Sequence, residues 1–285
     1  GVIGLEMGSI WRRLGANVTV IEFLDHILDG MDREISKQML RILKKQGLKF
    51  KFSSRVTKIE REASGVKVFT SSYPNDEEEL FLGDVVLLAT GRKPHTRDLD
   101  LNSVGINLDA NGFILVDNNF QTTSPGIFAI GDVIGGQMLA HKAEEEGVAI
   151  AEILAGEAGH VDYHAIPSIV YTWPEVAAVG KTEEQLLVSK TEYNIGKFPF
   201  TANSRACANG DNVGFVKILT EKSSDMILGS HIIGPNAGDL IQEIVLAISL
   251  GASGEDIGRI CHGHPGLPEA IKEAALNSNG RAIHI

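Results

Sequence analysis

The chain has 285 residues, a formal net charge of -11 and 43% hydrophobic residues, enough for two domains of ordinary size, each with its own core. Acidic and basic residues are interspersed, which argues against a nucleic-acid surface or a basic membrane-binding face, and no apolar run reaches the roughly 18 residues that would cross a bilayer. The two cysteines, Cys207 and Cys261, show neither CxxC spacing nor the density of a disulfide scaffold, and are expected to be buried free thiols in a reducing compartment.

The opening GVIGLEMGS has no initiator methionine and no leading strand, so the chain is expected to begin inside a longer protein. The pattern predicts a helix over 4–14 and a short apolar strand over 18–22 that ends on Glu22, half of a βαβ unit. A second helix follows, with Asp32 as its cap, Ile35, Met39, Leu40 and Leu43 on its apolar stripe, and Gly47 as its stop. Residues 49–82 read as a small meander whose sharpest turn is Tyr73-Pro74-Asn75-Asp76. VVLLAT reads as a buried parallel strand closed by Gly91.

From Lys93 to Phe120 the strands are short and broken, until PGIFAIGD supplies another buried strand ending on Asp132. HKAEEEGVAIAEILAG reads as a helix with Ala, Val and Ile on one face. After Gly159 the strands VDYHAIPSIVYT, NIGKFPF, GFVKILT and ILGSHIIG are gathered ahead of the helices AGDLIQEIVLAISL and PEAIKEAALN. Strands followed by helices indicate an α+β module, with the main boundary near residue 160.

Gly1 and Gly4 fit the last two glycines of a GxGxxG turn, one letting pyrophosphate approach the backbone and the other letting helix and strand pack closely. The helix amino terminus then offers free N–H groups to phosphates, and Glu22 stands where an acid would accept bonds from a ribose. Two glycines and a distant acid are also what an ordinary strand-to-helix turn carries. The further motifs decide the reading.

GVIGLEMGSIWRRLGANVTVIEF, LLATGRKP, TTSPGIFAIGD, MLAHKAEEEG, YTWPEVAAVGKTEEQL, FPFTANSRA and CHGHPGLPEAIKEA resemble, in order, the signatures of the dihydrolipoamide dehydrogenase family of pyridine nucleotide disulfide oxidoreductases. The resemblance implies an α/β Rossmann-like NAD-binding domain at 1–92, truncated at its start. It further implies a central segment at 93–160 that completes a flavin domain, and an α+β dimerisation domain at 161–285. Position by position, it implies that Glu6 pairs near the flavin with a lysine outside this chain, that Glu22 binds the NAD ribose, that Val56 neighbours the adenine and that Gly91 lies close to the cofactor. Asp132 would bond the ribityl chain of FAD, with Met138, Leu139, Ala140 and His141 contacting the flavin. His264 and Glu269 would be the active-site pair: an imidazole to take and return a dithiol proton near neutral pH, and a carboxylate to fix its tautomer. His262 would be an auxiliary. No metal site is implied.

Where the family has HPTxSE this chain has HPGLPE, so Gly266 and Pro268 could shift the carboxylate from the imidazole. The family's redox-active CxxxxC pair does not occur among the 285 residues, so they are expected to be inactive alone. The implied parent oxidises protein-bound dihydrolipoamide with NAD through FAD. It would do so as a homodimer in which His264 serves the partner's site, bound to the acyltransferase subunit of a 2-oxo acid dehydrogenase complex, in a bacterial cytoplasm or a mitochondrial matrix. Glutathione or mercuric reductases remain as alternatives, although Phe23, Leu24, Asp25 and His26 replace the arginines of the NADP-dependent members. A dimerising and docking module without catalysis is the alternative outside enzymes.

Overall fold

A computed structural model describes all 285 residues. Helix α1 (Val2–Arg13) ends on Arg12 and Arg13, whose charges suit the negative end of its dipole. Strand β1 (Thr19–Ile21) follows, then α2 (Arg33–Lys45) and β2 (Lys49–Lys51), which pairs with β1 in parallel, Val20 opposite Phe50. Asp32 caps α2 by accepting from the Glu34 amide at 3.0 Å, and Gly47 takes the left-handed conformation just after the helix. Ile35, Met39 and Leu43 are buried on the inner side of α2. Strands β3 (Ser54–Glu62), β4 (Gly65–Ser72) and β5 (Glu78–Gly83) form an antiparallel meander, turning at residues 73–77.

The expected parallel strand VVLLAT does not form. The sheet of β1 and β2 stops at two strands, so residues 85–90 have no ladder to join. A parallel strand needs a paired neighbour and covered faces. Without them Val85, Leu87 and Leu88 stay exposed.

The chain divides into two compact units, residues 1–90 with 167–285, and residues 91–166. The second unit is built mostly of loops around Ile106, Ile114 and Ala129, with one long helix, α3 (Ala140–Leu154). PGIFAIGD is not a buried strand here: Phe128 makes only an isolated bridge to Gln121, and Ile127 is exposed. Helix α3 forms where expected, but its inner face is charged. Its buried face is Lys142, Glu146 and Ala149, whereas Val148 points to solvent. The two charges neutralise each other at 2.8 Å and bond to backbone groups, which makes a charged inner face tolerable.

Beyond residue 166 the first unit resumes with β6 (Ser168–Val170), β7 (Glu175–Gly180), α4 (Glu183–Ser189), β8 (Tyr193–Pro199), α5 (Ser204–Asn209), β9 (Phe215–Glu221) and β10 (Ile227–Gly234). Helices α6 (Ala237–Ser249), α7 (Gly254–Arg259) and α8 (Glu269–Asn277) complete it. The antiparallel sheet runs β6-β7-β10-β9-β8, and Ile241, Ile244, Ile271 and Ala274 of α6 and α8 share a core with Val216, Ile218 and Ile232 of the sheet. Strand β7 is not among the strands expected from the sequence. EVAAVG has modest strand propensity, but its place between β6 and β10 provides pairing on both edges.

Lys217 of β9, 1% exposed, joins α2 to this sheet by donating to Asp32 at 2.9 Å and to Glu183 at 2.6 Å. Burial lowers the Lys217 ammonium, but Glu183 and Asp32 outweigh it and hold its pKa above the usual lysine value. Both cysteines are exposed, contrary to expectation. In the one-and-a-half turns of α5, Ala206 takes the buried position and Cys207 faces outward, and Cys261 lies in the loop after α7.

Candidate functional site

The candidate residues fall in three places. At the start of α1 the Gly1 nitrogen lies 3.2 Å from Oε2 of Glu22, and the Leu24 amide donates to Oε1 at 3.2 Å. The helix amino terminus and the acid that follows β1 therefore share one locality, as binding of a phosphate and a ribose requires. A Cβ on Gly4 would lie 3.4 Å from the Ala89 side chain, an ordinary van der Waals distance, so helix and chain run close together here. Val56 is exposed on β3. Glu6 accepts from the Tyr171 amide at 2.8 Å, so this carboxylate already has a partner within the chain.

In the second unit Gly91 has φ +102 with open space where a side chain would stand. Asp132 lies in a turn over Gly131–Ile134, paired with Arg92, whose guanidinium also donates to the Met138 carbonyl at 3.4 Å. The turn is held from behind. Lys142 donates to the Gly131 and Gly135 carbonyls at 3.2 and 2.9 Å, while Glu146 accepts from the Gly131 amide at 2.6 Å and from the Tyr163 hydroxyl at 2.8 Å. Met138 and Leu139 are half-buried and precede α3, which starts at Ala140 and His141 without a side-chain cap. An uncapped helix start beside a fixed carboxylate can bond the polar chain and phosphates of a nucleotide cofactor.

The third locality is the loop between α7 and α8. His264 Nδ1 lies 3.0 and 3.2 Å from the two oxygens of Glu269, the first residue of α8. The imidazole is 68% exposed, so it can meet a substrate, and the carboxylate fixes which nitrogen faces inward. Partial burial raises the Glu269 carboxyl, but the Gly266 amide at 2.8 Å and His264 outweigh it and hold its pKa below the usual glutamate value.

The HPGLPE departure leaves the pair within hydrogen-bond reach. Pro268 immediately precedes α8 with helical dihedrals and costs the helix no amide it needs. A Cβ on Gly266 would stand 2.6 Å from the Gly263 carbonyl oxygen, so this loop conformation requires a glycine there.

Sequence reasoning gave no role to Arg92, Lys142, Glu146, Asn203 or Glu243. The first four lie in motifs quoted above, where chemistry alone did not separate them from solvated polar groups. Glu243 lies on an apolar helix, and only the fold brings it to His262 at 2.8 Å. No group of three or more metal-ligating side chains is present.

A helix start set against an acid-ended strand is what a dinucleotide site uses, and an exposed His–Glu pair is what general acid-base chemistry uses. Residues 1–147 match the pyridine nucleotide-disulphide oxidoreductase family and residues 166–275 its dimerisation domain, and the chain belongs to that family. It is 53% identical over 285 residues to mitochondrial dihydrolipoyl dehydrogenase 2 of Arabidopsis thaliana, and 52% identical over 287 residues to the mitochondrial dihydrolipoyl dehydrogenase of Homo sapiens. Each match covers 100% of this chain and 56% of the relative, so the chain spans little more than half the length of these relatives. Among solved structures it resembles LpdA of Mycobacterium tuberculosis, with a TM-score of 0.88 and 28% identity over 96% of this chain and 59% of that one. It also resembles the HOCl-induced flavoprotein disulfide reductase RclA of Escherichia coli, with a TM-score of 0.86 and 26% identity over 95% and 61%.

Proposed function

We propose that the chain is the carboxyl-terminal part of a dihydrolipoyl dehydrogenase that oxidises protein-bound dihydrolipoamide with NAD. The observation that carries this reading is the His264–Glu269 pair, with the imidazole exposed and its Nδ1 held by a carboxylate. His264 would take the dithiol proton at its outer nitrogen, and Glu269 would stabilise the resulting cation and hold the ring for return of the proton.

FAD and NAD fit the residues present. Glu22, beside the start of α1, would accept from ribose hydroxyls, and its charge would repel the phosphate of NADP. Val56 and Gly91 would border the NAD, and Glu6 would lie near the flavin. Asp132 would bond the ribityl chain of FAD, with residues 138–141 beside the flavin. Bound FAD supplies the electron path between dithiol and nicotinamide. In this assignment residues 1–92 bind NAD, 93–160 complete the flavin site and 161–285 form a homodimer. The dimer places His264 in the partner's site and docks on the acyltransferase of a 2-oxo acid dehydrogenase complex in the mitochondrial matrix, in keeping with the mitochondrial relatives above.

The test uses the full-length protein. We expect a yellow flavoprotein that forms NADH from NAD and dihydrolipoamide, prefers NAD to NADP, and loses that preference in Glu22→Ala. Turnover of glutathione disulfide with NADPH and none of lipoamide would reject the substrate assignment. The 285 residues by themselves should show no lipoamide turnover, because Cys207 and Cys261 are separated far beyond a CxxxxC spacing.

A further inference from the structure

The loop that carries His264 holds a second histidine in a very different setting. The side chain of His262 is 6% exposed. Its Nε2 lies 2.8 Å from a Glu243 oxygen of α6, and its Nδ1 lies 3.0 Å from the Ile260 carbonyl oxygen. A carboxylate and a carbonyl can only accept, and a neutral imidazole has one donor nitrogen and one acceptor nitrogen. Both contacts are satisfied together only when both nitrogens carry hydrogen, that is, by the imidazolium. His264 differs: one nitrogen faces Glu269 and the ring is largely exposed, which suits a group that exchanges its proton.

The same loop is tied down around its whole length. Lys272 of α8 donates to the Ile260 carbonyl at 2.9 Å, Asn203 donates to the Gly266 carbonyl at 2.9 Å, and the Gly266 amide donates to Glu269. His262 is the tie between those ends. We propose that His262 is a positioning residue for the base: held as an imidazolium between Glu243 and the Ile260 carbonyl, it fixes the loop that presents His264. Two histidines in one loop then take opposite roles, one keeping its proton and one exchanging it. The proposal rests on His264 being the base, and it adds Glu243 as the anchor on a separate helix.

Electrostatics agree with the geometry. The Glu243 carboxylate raises the His262 pKa above the usual histidine value, against burial, which lowers it. Glu243 from α6 and Lys272 from α8 are the charged groups facing the ring, and the lysine opposes the shift. The clamp contributes fully below the unfolded histidine value of about 6.5 and is lost as pH rises through the higher folded value.

The test is made on the full-length protein labelled with ¹⁵N at histidine, using His262→Gln to assign the signals. Both His262 nitrogens should remain protonated above a pH of about 6.5, the usual histidine value. Loss of a His262 proton at or below a pH of about 6.5 would overturn the proposal. The kinetic arm uses Glu243→Gln, which should slow oxidation of dihydrolipoamide about 10- to 100-fold, the scale on which a displaced catalytic group acts. NADH-dependent reduction of ferricyanide needs no base at the dithiol and should fall far less. Equal loss of both activities would mean general damage to the fold and would also overturn the proposal. If the wild-type protein fails to oxidise dihydrolipoamide, the proposed function falls, while the nitrogen spectra still decide whether His262 is held as the cation.

Discussion

The turn around Asp132 and the loop around His264 both present a polar side chain on an irregular backbone, yet they are held in opposite ways. The first is fixed locally. Lys142 and Glu146, one turn apart on α3, reach back to the amide and carbonyls of Gly131 and Gly135. The second is fixed by side chains from separate places: Asn203 before α5, Glu243 on α6, and Glu269 and Lys272 on α8. A local clamp makes a rigid cradle that depends on one helix. A distributed clamp ties the base to the packing of the whole α+β domain.

The largest effect should come from the reacting group itself. In the full-length protein His264→Gln should lower lipoamide turnover about 100-fold to 10,000-fold, the range for loss of a general acid-base. Glu269→Gln should cost less, and the double substitution should match the histidine change alone, because a carboxylate acts only through the ring it holds. Steady-state rates of the four proteins decide this, and additive losses would show that Glu269 acts separately from His264.

Breaking the local clamp should be the next most severe. Lys142→Met would leave the fully buried Glu146 without its cation, at a cost of about 3–5 kcal/mol in stability. Replacing both partners by apolar residues should recover only part of that, since the Gly131 amide would still lose its acceptor. Denaturant unfolding and the flavin content of the purified full-length protein measure both. A Lys142→Met protein with normal stability would mean that the turn does not rely on α3.

The same contrast governs how far the sequence could be read. Helices α1 and α2, the meander and the sheet–helix order of the second half follow from periodicity and turn residues, which act over a few positions. The expected strand at 85–90 failed because a strand depends on a neighbour that composition does not supply. The charged inner face of α3 is not legible, because a buried Lys–Glu pair looks, in sequence, like an ordinary solvated one. The candidate residues themselves were legible as motifs. Their supports were not: Lys142 and Glu146 lie within a quoted motif but look like solvated charges there, and Glu243 approaches from another helix.

The distributed clamp can be sharpened at Gly266. An alanine there would place its Cβ about as near to the Gly263 carbonyl as a glycine-built Cβ, 2.6 Å, so the loop must shift. Overpacking of this kind costs about 1–3 kcal/mol, and displacement of the Gly266 amide should weaken its bond to Glu269. We expect roughly a 10-fold loss in lipoamide turnover with ferricyanide reduction largely kept. Turnover equal to wild type would show that the loop tolerates a side chain and that the family's threonine could be accommodated here.

The smallest effect, and the one that isolates the charge on Glu269, is its pH dependence. Burial raises the Glu269 carboxyl, but the Gly266 amide and His264 leave its pKa depressed in the folded protein. A carboxylate with a depressed folded pKa binds fewer protons folded than unfolded. Its contribution is therefore present above the unfolded value of about 4.3 and is lost as pH falls through the lower folded value. His262 has the opposite sign, since its folded pKa is raised and its contribution is lost as pH rises through it. The loop is thus tied by both groups only between these limits, whereas the Lys142–Glu146 clamp lies within the other unit. Denaturant midpoints of the wild-type protein and Glu269→Gln, compared from neutral pH downward, should converge as the wild-type carboxylate takes up its proton. A gap that stays constant to the acid limit would mean that the neutral acid and the amide serve the loop equally well, and that the charge of Glu269 matters only to His264.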